Sequence, residues 1–247
     1  MSMYLVNPYS YPKLPLISLD DLKAYYTFGD SGNQLNTAST IGSTDAIADS
    51  TITLSGNTTS GETGHVSGVD AIGFPTYDQD GNYATSSNDA DDYDFMVTDG
   101  AVWTICFWAS ISEHGTYQTT DIWGFTGNGA SNDIQFRYLN NDRFTIWFAG
   151  NEVTSFTQTI TDTNWHFYVV SWDEPNGNAS FTVDNGTTQT VSSVTTSNTS
   201  SPDAPLRFGD TSGNEFEGYM QLVILYNRIL TTAEITKLWN SGAGTEL

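Results

Sequence analysis

Basic residues and cysteine are scarce in this chain, and a hydrophobic run long enough to cross a bilayer is missing. Lysine and arginine together number 7 against 29 aspartates and glutamates, a formal net charge of −22 over 247 residues. So acidic a surface repels phosphate backbones and anionic bilayers, which argues against nucleic acid and against membrane as partners. It suits a protein that stays soluble in salty water or that collects divalent cations. The single cysteine, Cys106, rules out a disulfide framework within the chain, and it sits in an alternating run where a small apolar residue packs. The opening residues, Met1 to Pro8, have neither the basic start nor the apolar core of a signal peptide, so synthesis and release in a cytoplasm is expected. The sequons at Asn57, Asn178, Asn185 and Asn198 then read as incidental features of an Asn/Thr/Ser-rich surface.

Aromatic residues are plentiful: 7 Trp, 13 Tyr and 13 Phe, enough for a substantial core in one large β domain. Val102 to Ala109 is apolar on both faces, Trp103, Ile105 and Phe107 on one and Cys106 and Trp108 on the other. Such a strand belongs in the middle of a packed sheet, and Trp165 to Trp172 is a second. Shorter strands are expected at 24–28, 50–54, 68–74, 81–85, 121–125, 134–138, 143–148, 179–183, 189–191 and 205–209. Turns fall at Leu139 to Asp142 and Asp184 to Gly186. A short helical turn is expected over 18–23, and the remainder of 29–68 reads as loop. Near the end, Thr231-Thr232-Ala233-Glu234 is a capping box. Ile235, Leu238 and Trp239 follow as one apolar stripe, with Gly242 as the stop.

Residues 1–18 differ from the rest. Pro8, Pro12 and Pro15 alternate with Tyr4, Tyr9 and Tyr11, and three prolines cannot sit in a central strand. This is an extended arm with apolar side chains to place, either on its own domain or as a docking peptide for a neighbouring subunit. The domain proper is 19–247.

Four blocks, in order, resemble the laminin-G-like branch of the concanavalin A-like lectin/glucanase superfamily. They are Leu22 to Phe28; Asp92 to Phe95 with Trp103 to Trp108; Asp162 to Trp172 with Phe181 to Gly186; and the closing Pro205 to Ile235. The resemblance implies an all-β fold: a two-sheet antiparallel jelly-roll sandwich with one short C-terminal rim helix. This chain carries Met220-Gln221 where the family often places an acid after its Phe-x-Gly turn.

Hydrolases of the superfamily carry carboxylates at period two on one strand, which projects acid and nucleophile onto one concave face. Here Glu113, Glu152, Glu174, Glu215, Glu217 and Glu234 are scattered, and Asp92 and Asp94 have no matching Glu. His65, His114 and His166 lack a nucleophile or zinc context. A non-enzyme is expected. Calcium is the more credible cation: Asp78, Asp80 and Asn82, then Asp89, Asp91 and Asp92, concentrate oxygen ligands on loops. For a glycan partner, Arg137, Tyr138, Asn140, Asn141, Arg143 and Trp147 share one hairpin and offer aromatic and polar groups together. Trp123, Tyr117 and Tyr77 are loop or rim alternatives.

Two functions fit. One is a structural part of an assembly such as a phage capsid or tail, anchored to other virion proteins by its arm. The other is a lectin-like adhesion module that recognises host surface glycan, with rim calcium. Small laminin-G-like proteins are familiar among phage virion proteins, so a virion surface assembled in the host cytoplasm is the expected location, with a cell surface as the alternative. A homo-oligomer stays open.

Overall fold

A computed structural model describes residues 17–29, 34–47, 50–75, 81–87, 90–112, 119–125, 134–139, 143–194, 202, 204–209, 211 and 214–247. The strands, in chain order, are β1 (Leu22–Tyr26), β2 (Gln34–Leu35), β3 (Thr51–Ser55), β4 (Thr59–Thr63), β5 (Asp70–Phe74), β6 (Tyr83–Ser86), β7 (Val102–Ile111) and β8 (Thr119–Phe125). They continue with β9 (Ile134–Leu139), β10 (Arg143–Phe148), β11 (Asn151–Phe156), β12 (Trp165–Asp173), β13 (Asn178–Val183), β14 (Gln189–Ser192), β15 (Leu206–Gly209) and β16 (Gly218–Tyr226), then helix α1 (Thr232–Trp239).

Two antiparallel sheets of eight strands each face one another. The first runs β14-β13-β12-β7-β16-β5-β4, with β1 occupying the other half of the β16 edge; the second runs β11-β10-β9-β8-β15-β6-β3-β2. The all-β sandwich with one short C-terminal helix expected from the sequence is the fold observed.

β7 and β12 occupy the middle of the first sheet because both of their faces are apolar. Trp103, Ile105 and Phe107 point into the space between the sheets, where Trp103 stacks on Trp172 at 6.2 Å and Phe107 on Tyr168 at 5.2 Å. Cys106 and Trp108 point outward into a second core built with Phe167, Ile224, Tyr226 and Leu238 of α1. The first sheet is thus covered on both sides, as a strand with no polar face requires. Burial also pushes the Cys106 thiol far above its ordinary pKa, so it stays protonated.

Helix α1 starts at the expected capping box. The Thr231 side chain accepts from the Glu234 N–H at 3.3 Å, and Glu234 accepts in return from the Thr231 N–H at 2.9 Å. Arg228 grips the same carboxylate with two donors, at 2.8 and 3.1 Å. The helix stops at Asn240 in the left-handed region (φ 47°), before the expected Gly242.

Other expectations are corrected. Residues 18–21 make a single turn, with Leu22 N donating to Leu19 O, because Leu22 and Lys23 are already in β1. The sequence pattern gives β2, β4 and β11 as loop or not at all. β4 (TSGET) and β11 lie on sheet edges and carry little of the apolar alternation that marks a strand. Trp123, expected on a loop or rim, is a fully buried residue of β8. Tyr77 and Tyr117 lie outside the described residues.

A candidate ligand cleft on the first sheet

Strand register creates a cleft on the outer face of the first sheet. Trp165 of β12 pairs with Ser110 of β7, Ser110 with Tyr219 of β16, and Tyr219 with Gly73 of β5. Directly paired residues share a face, so one row across four strands reads large, small, large, none. Ser110 is the floor, buried and donating to the Thr163 carbonyl at 2.8 Å. Trp165 and Tyr219 rise on either side, ring centroids 6.3 Å apart and inclined at 37°. Tyr219 is 39% exposed, one of three large hydrophobics so open to water among the described residues. Gly73 lets Tyr219 lie over β5, since a Cβ there would stand 3.3 Å from the tyrosine ring and 2.8 Å from Thr59 Oγ1.

The walls come from β4 with the loop that follows it, and from the loop ahead of β12. On one side are Glu62 and Thr63 of β4 and then His65; on the other are Thr163 and Asn164, ahead of β12. Together they enclose about 590 Å³. Glu62 accepts from Thr59 Oγ1 at 2.7 Å, which aims its carboxylate along the strand edge. His65 stacks on Trp108 at 4.3 Å and donates from Nε2 to the Gly242 carbonyl at 2.6 Å.

Gln221, the residue standing where the family often has an acid, holds the first wall in place. A bulge in β16, with Leu222 at φ 49°, turns both Gln221 and Leu222 outward. The Gln221 side chain is fully buried. Its Oε1 accepts from the N–H groups of His65 (3.1 Å) and Val66 (2.9 Å), and its Nε2 donates to the carbonyls of Val66 (3.3 Å) and Val69. Two donors and two acceptors of one loop thus meet one amide. A carboxylate would face the two carbonyls with no proton to offer, so the amide is required. Gly64 makes room: a Cβ there would lie 2.1 Å from Nε2.

The second wall is fastened by His166. Its Nδ1 meets Asp184 Oδ2 at 2.5 Å and its Nε2 meets Asp162 Oδ1 at 3.0 Å, while Asp184 Oδ1 accepts from the Phe167 N–H at 2.8 Å. The hydrogen bond to Asp184 is the main cause that raises the His166 pKa above its ordinary value, with Asp162 adding to it against the effect of burial. Asp162 in turn accepts from the Asn164 N–H at 2.8 Å and is held below the usual carboxylate range chiefly by that bond. His166 therefore ties Asp162-Thr163-Asn164 to the turn at Asp184.

The glycan residues expected from the sequence lie elsewhere, on the outer face of the second sheet. Arg137, Arg143 and Trp147 come together there: Arg137 stacks over Trp147 at 4.5 Å and pairs with buried Asp121 at 2.8 Å, and Arg143 pairs with Glu152 at 3.3 Å. Tyr138 is on the opposite face. Alternation along β9 points Ile134, Phe136 and Tyr138 inward, and the Tyr138 hydroxyl donates to the Ile160 carbonyl at 2.9 Å in the core. Asn140 and Asn141 lie outside the described residues.

Of the residues named for calcium, Asp78, Asp80 and Asp89 also lie outside them. Asn82 is buried, accepting from Asn57 N at 2.7 Å and donating to Glu215 at 3.3 Å, which makes it a brace between loops. Asp91 and Asp92 are exposed on a 3₁₀ turn, Ala90–Met96, in place of the expected loop. Among the described residues no three His, Cys, Asp or Glu side chains converge as a metal site. Tyr4, Pro8, Tyr9, Tyr11, Pro12 and Pro15 of the arm are outside the described residues as well.

A two-sheet sandwich with an aromatic-sided cleft defines a lectin-like fold. The family model of the concanavalin A-like lectin/glucanases superfamily matches residues 78–236, and the chain belongs to that family. A search of the curated proteins found no match. Among solved structures, the binding domain of botulinum neurotoxin DC in complex with SialylT is similar at TM-score 0.66 and 11% identity, covering 90% of this chain and 52% of that one. The same domain in complex with rat synaptotagmin II gives TM-score 0.66 and 11% identity, covering 90% and 51%. A Trypanosoma rangeli sialidase in complex with 2,3-difluorosialic acid, a covalent intermediate, gives TM-score 0.62 and 15% identity, covering 92% and 34%. The chain thus spans about half the length of the toxin domains and about a third of the sialidase, and at these identities the likeness is one of fold.

Proposed function

We propose that this protein is a non-catalytic attachment module that binds glycan in the cleft lined by Trp165 and Tyr219. The observation that carries this is the row Trp165, Ser110, Tyr219: two π faces flanking a small polar floor, with hydroxyl, amide and carboxylate groups on the walls. A pyranose ring has an apolar face of C–H groups and an equatorial rim of hydroxyls, and such a cleft offers aromatic surface to the first and Glu62, Thr163 and Asn164 to the second. The non-catalytic reading is supported by Glu62 being the one carboxylate among the described residues lining the cleft, since glycoside hydrolysis by the common route uses a pair. The ligands of the structural neighbours, SialylT and difluorosialic acid, lend a glycan reading general support.

A second reading is a structural decoration protein of a phage particle, held by residues 1–18; the Pro/Tyr composition of that segment favours it. The two are compatible in one virion protein. A glycan array read with and without EDTA tests the first and reports on rim calcium at once. Binding that Trp165→Ala and Tyr219→Ala each weaken by roughly 30-fold, the effect of an anchor worth about 2 kcal/mol, supports the cleft. No binding to any glycan leaves the structural reading, and release of reducing ends overturns the non-catalytic one.

A further inference from the structure

The cleft is lined by one carboxylate, that of Glu62, and by no lysine or arginine among the described residues. Glu62 is half-buried at the sheet edge. Its Cγ and the Tyr219 ring stand 3.1 and 3.3 Å from one point, where a Cβ of Gly73 would lie, so its carboxylate leaves from beside the tyrosine. Thr59 Oγ1 donates to Oε1 at 2.7 Å, and Oε2 has no donor among the described residues. The six described lysines and arginines are placed elsewhere. Arg137, Arg143 and Arg207 belong to β9, β10 and β15 of the second sheet. Arg228 holds Glu234, Lys23 lies over Phe95, and Lys237 is on α1. The whole chain adds to the same sign, with a net charge of −22.

We infer that the cleft selects its glycan by charge. Resting on the glycan reading above, it takes sugars bearing a free amine ahead of their N-acetylated forms and turns away sugars bearing a carboxylate, and Glu62 decides between them. An equatorial amine projects from the rim of a pyranose whose C–H face lies on the aromatic rings, which is where the wall, and Glu62, meets it. The ring faces of Trp165 and Tyr219 act in the same direction, since the quadrupole of an aromatic ring attracts a cation and repels an anion. A sugar carboxylate instead meets Glu62 as a like charge with no cation beside it. Sialic acid falls in that disfavoured class, and the likeness to the sialidase neighbour is one of fold.

The test is calorimetric titration of the full chain at about pH 6, where sugar amines are protonated. The probes are β-linked oligomers of glucosamine and of galactosamine, their N-acetylated forms, and uronic acid oligomers of the same two configurations. The expected result is binding of a free-amine oligomer about tenfold tighter than its N-acetylated form, the effect of one ion pair with cation–π support, and no binding of the uronic acids. In Glu62→Gln, which keeps an acceptor and the shape but not the charge, that ratio falls to about one. Raising salt to about 0.5 M lowers the wild-type ratio several-fold, a readout that needs no variant. Equal affinity for the amine and N-acetylated forms, tighter binding of the uronic acids, or a ratio unchanged in Glu62→Gln would each overturn the inference. If Trp165→Ala still weakens those same sugars, the glycan reading survives that failure. Binding of none of the probes overturns the inference too, and the array then decides the glycan reading by itself.

Discussion

Replacing Gln221 by glutamate changes one atom group and reverses half of a four-bond clamp. The side chain is fully buried, and Nε2 serves the carbonyls of Val66 and Val69 while Oε1 serves two N–H groups. An ionised carboxylate at this position keeps the two N–H bonds and turns an unprotonated oxygen on both carbonyls. An uncompensated buried charge of this kind costs about 3–5 kcal/mol. The variant has one escape, which is to stay protonated. Holding a carboxyl of ordinary pKa about 4.3 neutral at pH 7 costs about 3.7 kcal/mol at 1.36 kcal/mol per unit, and its single proton restores one of the two lost bonds. With about 1 kcal/mol for the other bond, the deficit at pH 7 is about 4–5 kcal/mol.

The pH dependence identifies the cause. In the variant the native state holds a proton that the unfolded state has released, so stability falls as pH rises and recovers by about 1.4 kcal/mol per unit on going from pH 7 to pH 5. Gln221→Ala loses the same clamp without a charge and shows no such slope. Urea unfolding at pH 5, 6 and 7 measures both, and amide exchange at His65 to Val69 reports whether the loop has left the sheet. A deficit of Gln221→Glu below about 1 kcal/mol at pH 7, flat with pH, would refute the clamp.

Other outcomes follow from the same geometry. His166 has a folded pKa above its ordinary value of 6.5, so its contribution is fully present below pH 6.5 and is lost as pH rises through the folded value. The His166→Gln variant should flatten stability over that window in urea titrations, and exchange at Thr163 and Asn164 should quicken. Glu234 is held at about 2 against an ordinary 4.5, by Arg228 and the Thr231 groups acting against burial. Its contribution is present above pH 4.5 and disappears as pH falls toward 2. Glu234→Gln is expected to cost about 1–2 kcal/mol at pH 7, and equal stability of variant and wild type at that pH would contradict it. Tyr219→Ala should lower stability by less than about 1 kcal/mol because the ring is 39% exposed; a larger loss would mean it is a packing residue.

Strands apolar on both faces were legible because burial leaves its mark on every residue: the split of Trp103, Ile105 and Phe107 from Cys106 and Trp108 is the split between the two cores. The capping box was legible because its chemistry is local, confined to the four residues Thr231 to Glu234. The cleft was not, because its parts come together through register. Trp165, Ser110 and Tyr219 are far apart in the chain and meet by pairing across three strands, while β4, which brings Glu62, has no apolar pattern to announce it. The hairpin at Arg137 to Trp147 offered aromatic and polar residues close in sequence, but alternation sends Tyr138 into the core and the arginines are paired with Asp121 and Glu152. A signal was available at position 221. A glutamine followed by a wholly apolar run in a strand asks for buried partners, and the loop at 65–69 supplies them.

The most direct test of the account is calorimetric titration of the tightest array glycan into wild type, Trp165→Ala and Tyr219→Ala, with urea unfolding confirming that each variant is folded. The account predicts measurable binding to wild type, a loss of roughly 30-fold in each variant, and recovery of the glycan intact. Binding undiminished by both substitutions would contradict it.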